Sequence, residues 1–273
     1  MSAATFRLTL EYDGSAFSGW QRQRDVRTVE GVLRDALAGL GLEVVSLTAA
    51  GRTDAGAHAH GQVVGVTLRK SAAGDLSSGG DNRASQSPKN LSPERLRGAL
   101  NAVLPRDVVV VAAAAAPETF HARRDALSRT YRYLVVPRGT RQAVARQLAW
   151  QVRGPLDLAA MRRAARLLLG THDFAAFGRS PRPGGTTTRT VHAVKVRRLA
   201  GVVLIDISAD AFLYGMMRSF AGALVAVGEG RLSEAELHRL VLQPPAARAK
   251  LTVAPAHGLH QWAVFYPTSP ETR

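Results

Sequence analysis

Hydrophobic and polar positions follow recognisable periods along most of the chain. In the first block, Phe6, Leu8, Leu10 and Tyr12 alternate with Arg7, Thr9 and Glu11. This period of two predicts a strand over Thr5–Tyr12 with one buried face. The period then changes: Val29, Leu33, Ala36, Leu37 and Leu40 recur at helical spacing. They predict a helix over Thr28–Leu40, with Thr28 as N-cap and Gly41 past its end. Strands are predicted over Glu43–Ala49 and Gly61–Leu68. A helix over Pro93–Val103 takes Ser92 as its cap and Pro93 in its first turn, where the missing N–H costs nothing. A strand over Asp107–Ala113 ends this half.

The second half repeats the order. It reads as a strand over Arg129–Val136, a helix over Leu158–Leu169 stopped by Gly170, and strands over Thr190–Arg197 and Val202–Ser208. An apolar helix over Phe212–Val227 follows, then a helix opened by the capping pair Ser233 and Glu236, and a last strand over His260–Tyr266. Each half is therefore strand, helix, two strands, helix, strand. That order predicts an α+β fold of two ferredoxin-like halves, residues 1–116 and 117–273. Their antiparallel sheets are expected side by side, with helices on the outer face and a catalytic cleft between. Lys70–Pro93 is rich in Ser, Gly, Asn and Asp and has no apolar period. It reads as a flexible insertion within the first half.

Composition narrows the class. With 46% hydrophobic residues in 273, the chain can bury a core and is not a disordered one. There is no cysteine, which excludes a disulfide scaffold, a thiolate metal site and a cysteine nucleophile. The longest apolar run, Val108–Ala116, falls short of the roughly 20 residues that a spanning helix needs. The amino terminus is a strand and not a signal peptide, so a cytoplasmic protein is expected. Lysine and arginine outnumber aspartate and glutamate 36 to 21, a net charge of +15. The sequence pI is about 11.3, which favours a polyanionic partner, nucleic acid above all. No Gly-rich nucleotide loop follows a strand, and no cofactor is expected.

Three places carry candidate chemistry. Gly51-Arg52-Thr53-Asp54-Ala55-Gly56-Ala57-His58-Ala59-His60-Gly61-Gln62 lies between two predicted strands, a loop presented by a sheet. Asp54 sits between glycines that allow close approach, with the cation Arg52 beside it. A structural Asp turn would use the same residues. A metal site of Asp54, His58 and His60 is disfavoured, because no further carboxylate cluster accompanies them. Arg218 lies in the apolar run Phe212–Val225, where an unpaired guanidinium would cost several kcal/mol; it needs an anionic or polar partner. Tyr131 stands between Arg129 and Arg132 and could serve as a base-stacking ring among cations, although on that motif alone it reads as ordinary strand core.

These motifs, in this order, closely resemble the TruA family of tRNA pseudouridine synthases. Gly51-Arg52-Thr53-Asp54-Ala55-Gly56 with His58, Gly61, Gln62 and Val63 matches its signature. Glu11–Gly14, Gly19–Gln23, Leu100–Pro105, Phe120–Arg123, Tyr131–Tyr133, His172–Phe174, Arg189–Val191 and Ala211–Arg218 match further segments. The resemblance spans most of the chain, and Lys70–Pro93 is its main departure. It implies isomerisation of uridine to pseudouridine in the tRNA anticodon stem-loop, at positions 38 to 40, with Asp54 as nucleophile. Arg218 and Arg52 become catalytic partners, and Tyr131 stacks on the target base. Arg22, His58, Gln62 and Arg123 are implied as further substrate-binding residues. The resemblance also implies a homodimer, tRNA as partner and no cofactor. The rivals from other classes are a non-catalytic RNA-binding protein and a metal hydrolase.

Overall fold

The alternation in the first block is realised as strand β1 (Ala4–Tyr12), whose Phe6, Leu8, Leu10 and Tyr12 are buried. The computed structural model describes residues 3–71, 91–137, 143, 146–243 and 251–267. Among them the fold is mixed α+β, with five α-helices and mostly antiparallel strand pairing. The chain divides into two compact units, one of Met1–Ala126 and Tyr266–Arg273, the other of Leu127–Phe265.

The first unit continues with helix α1 (Val29–Gly39) and strands β2 (Leu42–Ala49) and β3 (His58–Lys70). Helix α2 (Pro93–Val103) and strand β4 (Val108–Ala116) complete it. β3 pairs with β2 and β1, and β1 pairs with β4, all antiparallel. The caps are those that the residue types dictate. Thr28 accepts from Gly31 N–H at 3.2 Å, and Ser92 accepts from Arg95 N–H at 3.3 Å with Pro93 in the first turn. Val29, Leu33 and Leu37 of α1 and Leu96 and Leu100 of α2 bury against Leu8, Leu10, Val64, Val66 and Val110 of the sheet. Asn101 adds a polar tie: its amide donates to Val110 O at 2.9 Å and accepts from Val110 N–H at 2.8 Å.

The second unit begins with β5 (Ser128–Pro137), the short β6 (Trp150–Val152) and helix α3 (Leu158–Arg166). It continues through β7 (Gly170–Asp173), β8 (Thr188–Leu199) and β9 (Val202–Ala209). Helices α4 (Met216–Gly228) and α5 (Glu234–Leu242) and strand β10 (Leu259–Phe265) complete it. The strand order is β10-β5-β9-β8-β7, antiparallel throughout, with β6 parallel to β5. Setting β6, β7 and α5 aside, both units run strand, helix, strand, strand, helix, strand, and their sheets order those strands alike.

The boundaries differ from the predicted ones where local geometry overrides period. β3 begins at His58 and not Gly61, because His58 and Ala59 are already extended and paired. α4 begins at Met216, not Phe212: Gly215 takes φ +76°, and Tyr214 instead bridges to Arg179. α3 ends at Arg166, and Gly170, at φ +100°, opens β7. β6 and β7 have only three and four residues, too few to register as alternation. Of the Lys70–Pro93 insertion, 72–90 lie outside the described residues, while Lys70 ends β3 and Pro93 opens α2. No helix among the described residues is long and apolar enough to cross a membrane.

Two helical glycines separate propensity from packing. A Cβ at Gly98 of α2 meets nothing within 4 Å, whereas at Gly222 of α4 it would lie 1.7 Å from Thr252 O. Gly98→Ala should therefore stabilise the protein by about 0.5–1 kcal/mol. At Gly222 the same helix gain is outweighed by forced displacement of backbone, so Gly222→Ala should destabilise by about 1–3 kcal/mol. Denaturant unfolding of the two variants measures the difference in sign.

Candidate active site

The loop between β2 and β3 carries Arg52, Thr53 and Asp54, and its shape follows from hydrogen bonds to one other segment. Ala57 N–H donates to Asp54 O at 3.1 Å, closing a four-residue turn whose third member, Gly56, has φ +78°. A side chain there would be strained. Asp54 thus opens the turn, partly exposed, with Arg52 exposed beside it and Thr53 buried. The segment after β1 lies against the loop. Gly56 N–H donates to Phe17 O at 3.2 Å, and Trp20 N–H donates to Thr53 O at 3.1 Å. A Cβ at Gly14 would lie 1.9 Å from Ala57 O, and one at Gly19 would lie 2.8 Å from Thr53 O.

Side chains complete the clamp. Tyr12 and Thr53 share a buried hydroxyl–hydroxyl bond of 2.8 Å. Gln62, fully buried, donates from Nε2 to Gly51 O at 2.7 Å. His58, also buried, accepts at Nδ1 from Gly14 N–H at 3.1 Å, and Asp13 Oδ1 lies 3.2 Å from the same nitrogen. Because the Gly14 amide can only donate, Nδ1 is the acceptor, and Asp13 Oδ1 takes Ser15 N–H at 2.9 Å. Burial works against ionisation of Asp13, but its hydrogen bonds from Ser15 hold its carboxyl below the usual range. His60 is exposed and its Nδ1 lies 3.7 Å from Glu11, so the two histidines of the motif have different surroundings. Among the described residues no group of three or more His, Asp or Glu could hold a metal ion. Arg22 is exposed beside this segment. Its backbone N–H, and Gln21 Nε2, donate to Glu30, a buried carboxylate also bonded to Arg34. Arg123 is exposed in the turn that Asp125 N–H closes on His121 O, with its own N–H on His121 Nδ1 at 3.3 Å.

In the second unit, Tyr131 and Tyr133 of β5 share a face. Tyr131, 7% exposed, meets Phe212 edge-on with centroids 4.7 Å apart. Tyr133 donates to Pro255 O at 2.5 Å. Burial pushes its hydroxyl far above the phenol range, against the pull of the Arg218 charge, so it remains a donor. Arg218, one turn into α4, donates from Nε to Ala254 O at 2.7 Å, while Ala254 N–H donates back to Arg218 O at 3.1 Å. The arginine that the apolar run left in need of a partner thus has a carbonyl on one edge of its fork, and that bond fixes the side chain's direction. Sequence reasoning set Tyr12, Gly14 and Thr53 in matched segments but gave them no role, and it missed the strap Thr252–Pro255. Tyr12 reads as plain strand core, and the strap has no periodic signal.

A family model described as tRNA pseudouridine synthase matches residues 9–125 and 164–267. Those segments contain Asp54 and Arg218; Tyr131 falls between them. The tRNA pseudouridine synthase A of Frankia casuarinae is 45% identical, covering 97% of this chain and 90% of that one. Its namesake from Methylacidiphilum infernorum is 38% identical over 100% of this chain and 99% of its own. The one from Leifsonia xyli subsp. xyli is 42% identical over 98% and 94%. Among solved structures, a Cbf5–Nop10–Gar1 complex aligns with a TM-score of 0.34 and 13% identity, over 81% of this chain and 45% of that one. The class is that of isomerases acting on uridine in tRNA. Within it, the chain belongs to the tRNA pseudouridine synthase family.

The hydroxyl pair should hold the loop. Tyr12→Phe and Thr53→Val should each cost about 1–3 kcal/mol, because each strands a buried hydroxyl, and the double variant should cost less than their sum. Chemical denaturation of the three variants tests this. The Asp13 contribution is complete above about pH 4 and is lost as pH falls through its lowered native value. Asp13→Asn should therefore lose stability less steeply below pH 4 than the unsubstituted protein, as followed by denaturant unfolding across pH.

Proposed function

We propose that this isomerase converts uridine to pseudouridine in the anticodon stem-loop of tRNA, at positions 38 to 40, with Asp54 as its nucleophile. The observation that carries the reading is the clamped loop, which raises one carboxylate on a turn inside a family-matched segment. The reaction breaks the N-glycosidic bond, turns the uracil and forms a C–C bond at the same ribose. No group enters or leaves, and a carboxylate that attacks and later departs, or that acts as a base, suits this chemistry. The resemblance makes Arg218 the cationic partner of this carboxylate. Tyr131 stacks on the target base, for which its Phe212 contact must yield ring surface. Arg52 takes the place of the flipped nucleotide, whose extrusion costs a few kcal/mol that stacking and phosphate contacts offset. Arg22 and Arg123, both exposed, suit phosphates; His58 and Gln62 serve substrate by holding the loop.

The like strand order of the two units supports the reading of each as ferredoxin-like. The resemblance adds a homodimer with tRNA lying across both subunits, working in the cytoplasm where tRNA is found.

Asp54→Asn should lower pseudouridine formation on unmodified tRNA by a factor on the order of 10⁴ or more, with folding and tRNA affinity kept. Turnover retained in the purified variant would overturn the nucleophile. Affinity for tRNA should fall with salt at a log–log slope of about −0.7 to −0.9 per phosphate contacted. A salt-independent affinity would remove the role assigned to the net charge of +15.

A further inference from the structure

We propose that Tyr214 and Arg179 form a stacking shelf for an unpaired RNA nucleotide adjoining the target uridine; this rests on the reading of the chain as acting on tRNA. Tyr214 is 54% exposed, and the Arg179 guanidinium lies over its ring, 5.3 Å from the centroid. Neither side chain has a hydrogen bond or ion pair with another described residue. The pair is nevertheless not on a loose loop. Arg179 N–H donates to Tyr214 O at 3.2 Å and Tyr214 N–H to Arg179 O at 2.9 Å. Just before, Gly178 packs so tightly that a Cβ would lie 2.6 Å from Leu213 Cβ. Just after, Gly215 turns at φ +76° into α4. An aromatic ring and a planar cation are thus carried on a fixed backbone bridge and left facing solvent, which is the composition of a sequence-tolerant nucleotide platform.

Position selects the nucleotide. Tyr214 follows Phe212, the residue that touches Tyr131, by two residues. Their Cα atoms are therefore at most ~7 Å apart, about one nucleotide's step along an unpaired strand. With the target base on Tyr131, the next base along reaches Tyr214. A ring that stacks without reading base edges tolerates any base. The shelf therefore contributes affinity and strand direction, not sequence choice.

The test is a binding cycle between purified full-length protein and an unmodified anticodon stem-loop. Tyr214→Ala should weaken binding roughly 5- to 100-fold and leave the single-turnover rate at saturating RNA within about twofold. Tyr214→Trp should restore binding. Replacing one nucleotide beside the target uridine by an abasic one should erase the difference between Tyr214→Ala and the unsubstituted protein. Equal affinity for Tyr214→Ala, or a penalty undiminished at every abasic position, would overturn the shelf. Failure of the unsubstituted protein to make pseudouridine would instead strike the isomerase reading, and the binding cycle would still decide the shelf.

Discussion

Between Gly14 and Ala57 there is no room for a single further carbon. A Cβ at Gly14 would reach to 1.9 Å from the Ala57 carbonyl oxygen, and the placement of Asp54 follows from that closeness. The segment after β1 can lie flat on the loop only if it offers bare backbone there. Once it does, Gly56 and Trp20 find their bonds to Phe17 and Thr53, and the His58 ring receives the Gly14 amide. The buried Tyr12–Thr53 hydroxyls lock the residue immediately before the acid. A carboxylate carried on such a loop has a fixed origin. The first unit supplies that origin through backbone hydrogen bonds, which do not vary with rotamer.

The second unit uses the same principle for a cation. The Thr252–Pro255 strap lies directly on α4 because Gly222 lacks a side chain. The strap's Ala254 carbonyl takes Arg218 Nε and its Pro255 carbonyl takes the Tyr133 hydroxyl. α4 is buried almost all round, so a guanidinium emerging from it carries a large desolvation cost. A carbonyl on one edge offsets part of that cost without neutralising the charge. That bond aims the arginine.

Most of the architecture is legible in the chain because β1 and both helices of the first half bury one face, as the alternation in Phe6, Leu8, Leu10 and Tyr12 announces. The capping residues Thr28, Ser92 and Ser233 set helix starts that period alone leaves loose. Misreadings fall where a short-range device outranks period: the Gly215 turn that cuts α4 back to Met216, and the brief polar β7 that exists only by pairing with β8. In the site, Asp54, Arg52 and Arg218 stand out by type and spacing. Their supports do not, since nothing in the sequence distinguishes Tyr12 from its buried neighbours or marks Ala254 as an acceptor.

Asn101 has a meaning unrelated to RNA. β4 is a run of four valines and five alanines, without charge, at the end of the strand order. Such a segment is a template for another strand to add on, and so a seed of insoluble aggregates. The sequence places no lysine or proline within it. The Asn101 amide instead occupies both backbone groups of Val110, imitating with a side chain the partner that a foreign strand would supply. One amide reaching back from α2 therefore takes up, at one point of the strand, the backbone groups that another strand would need.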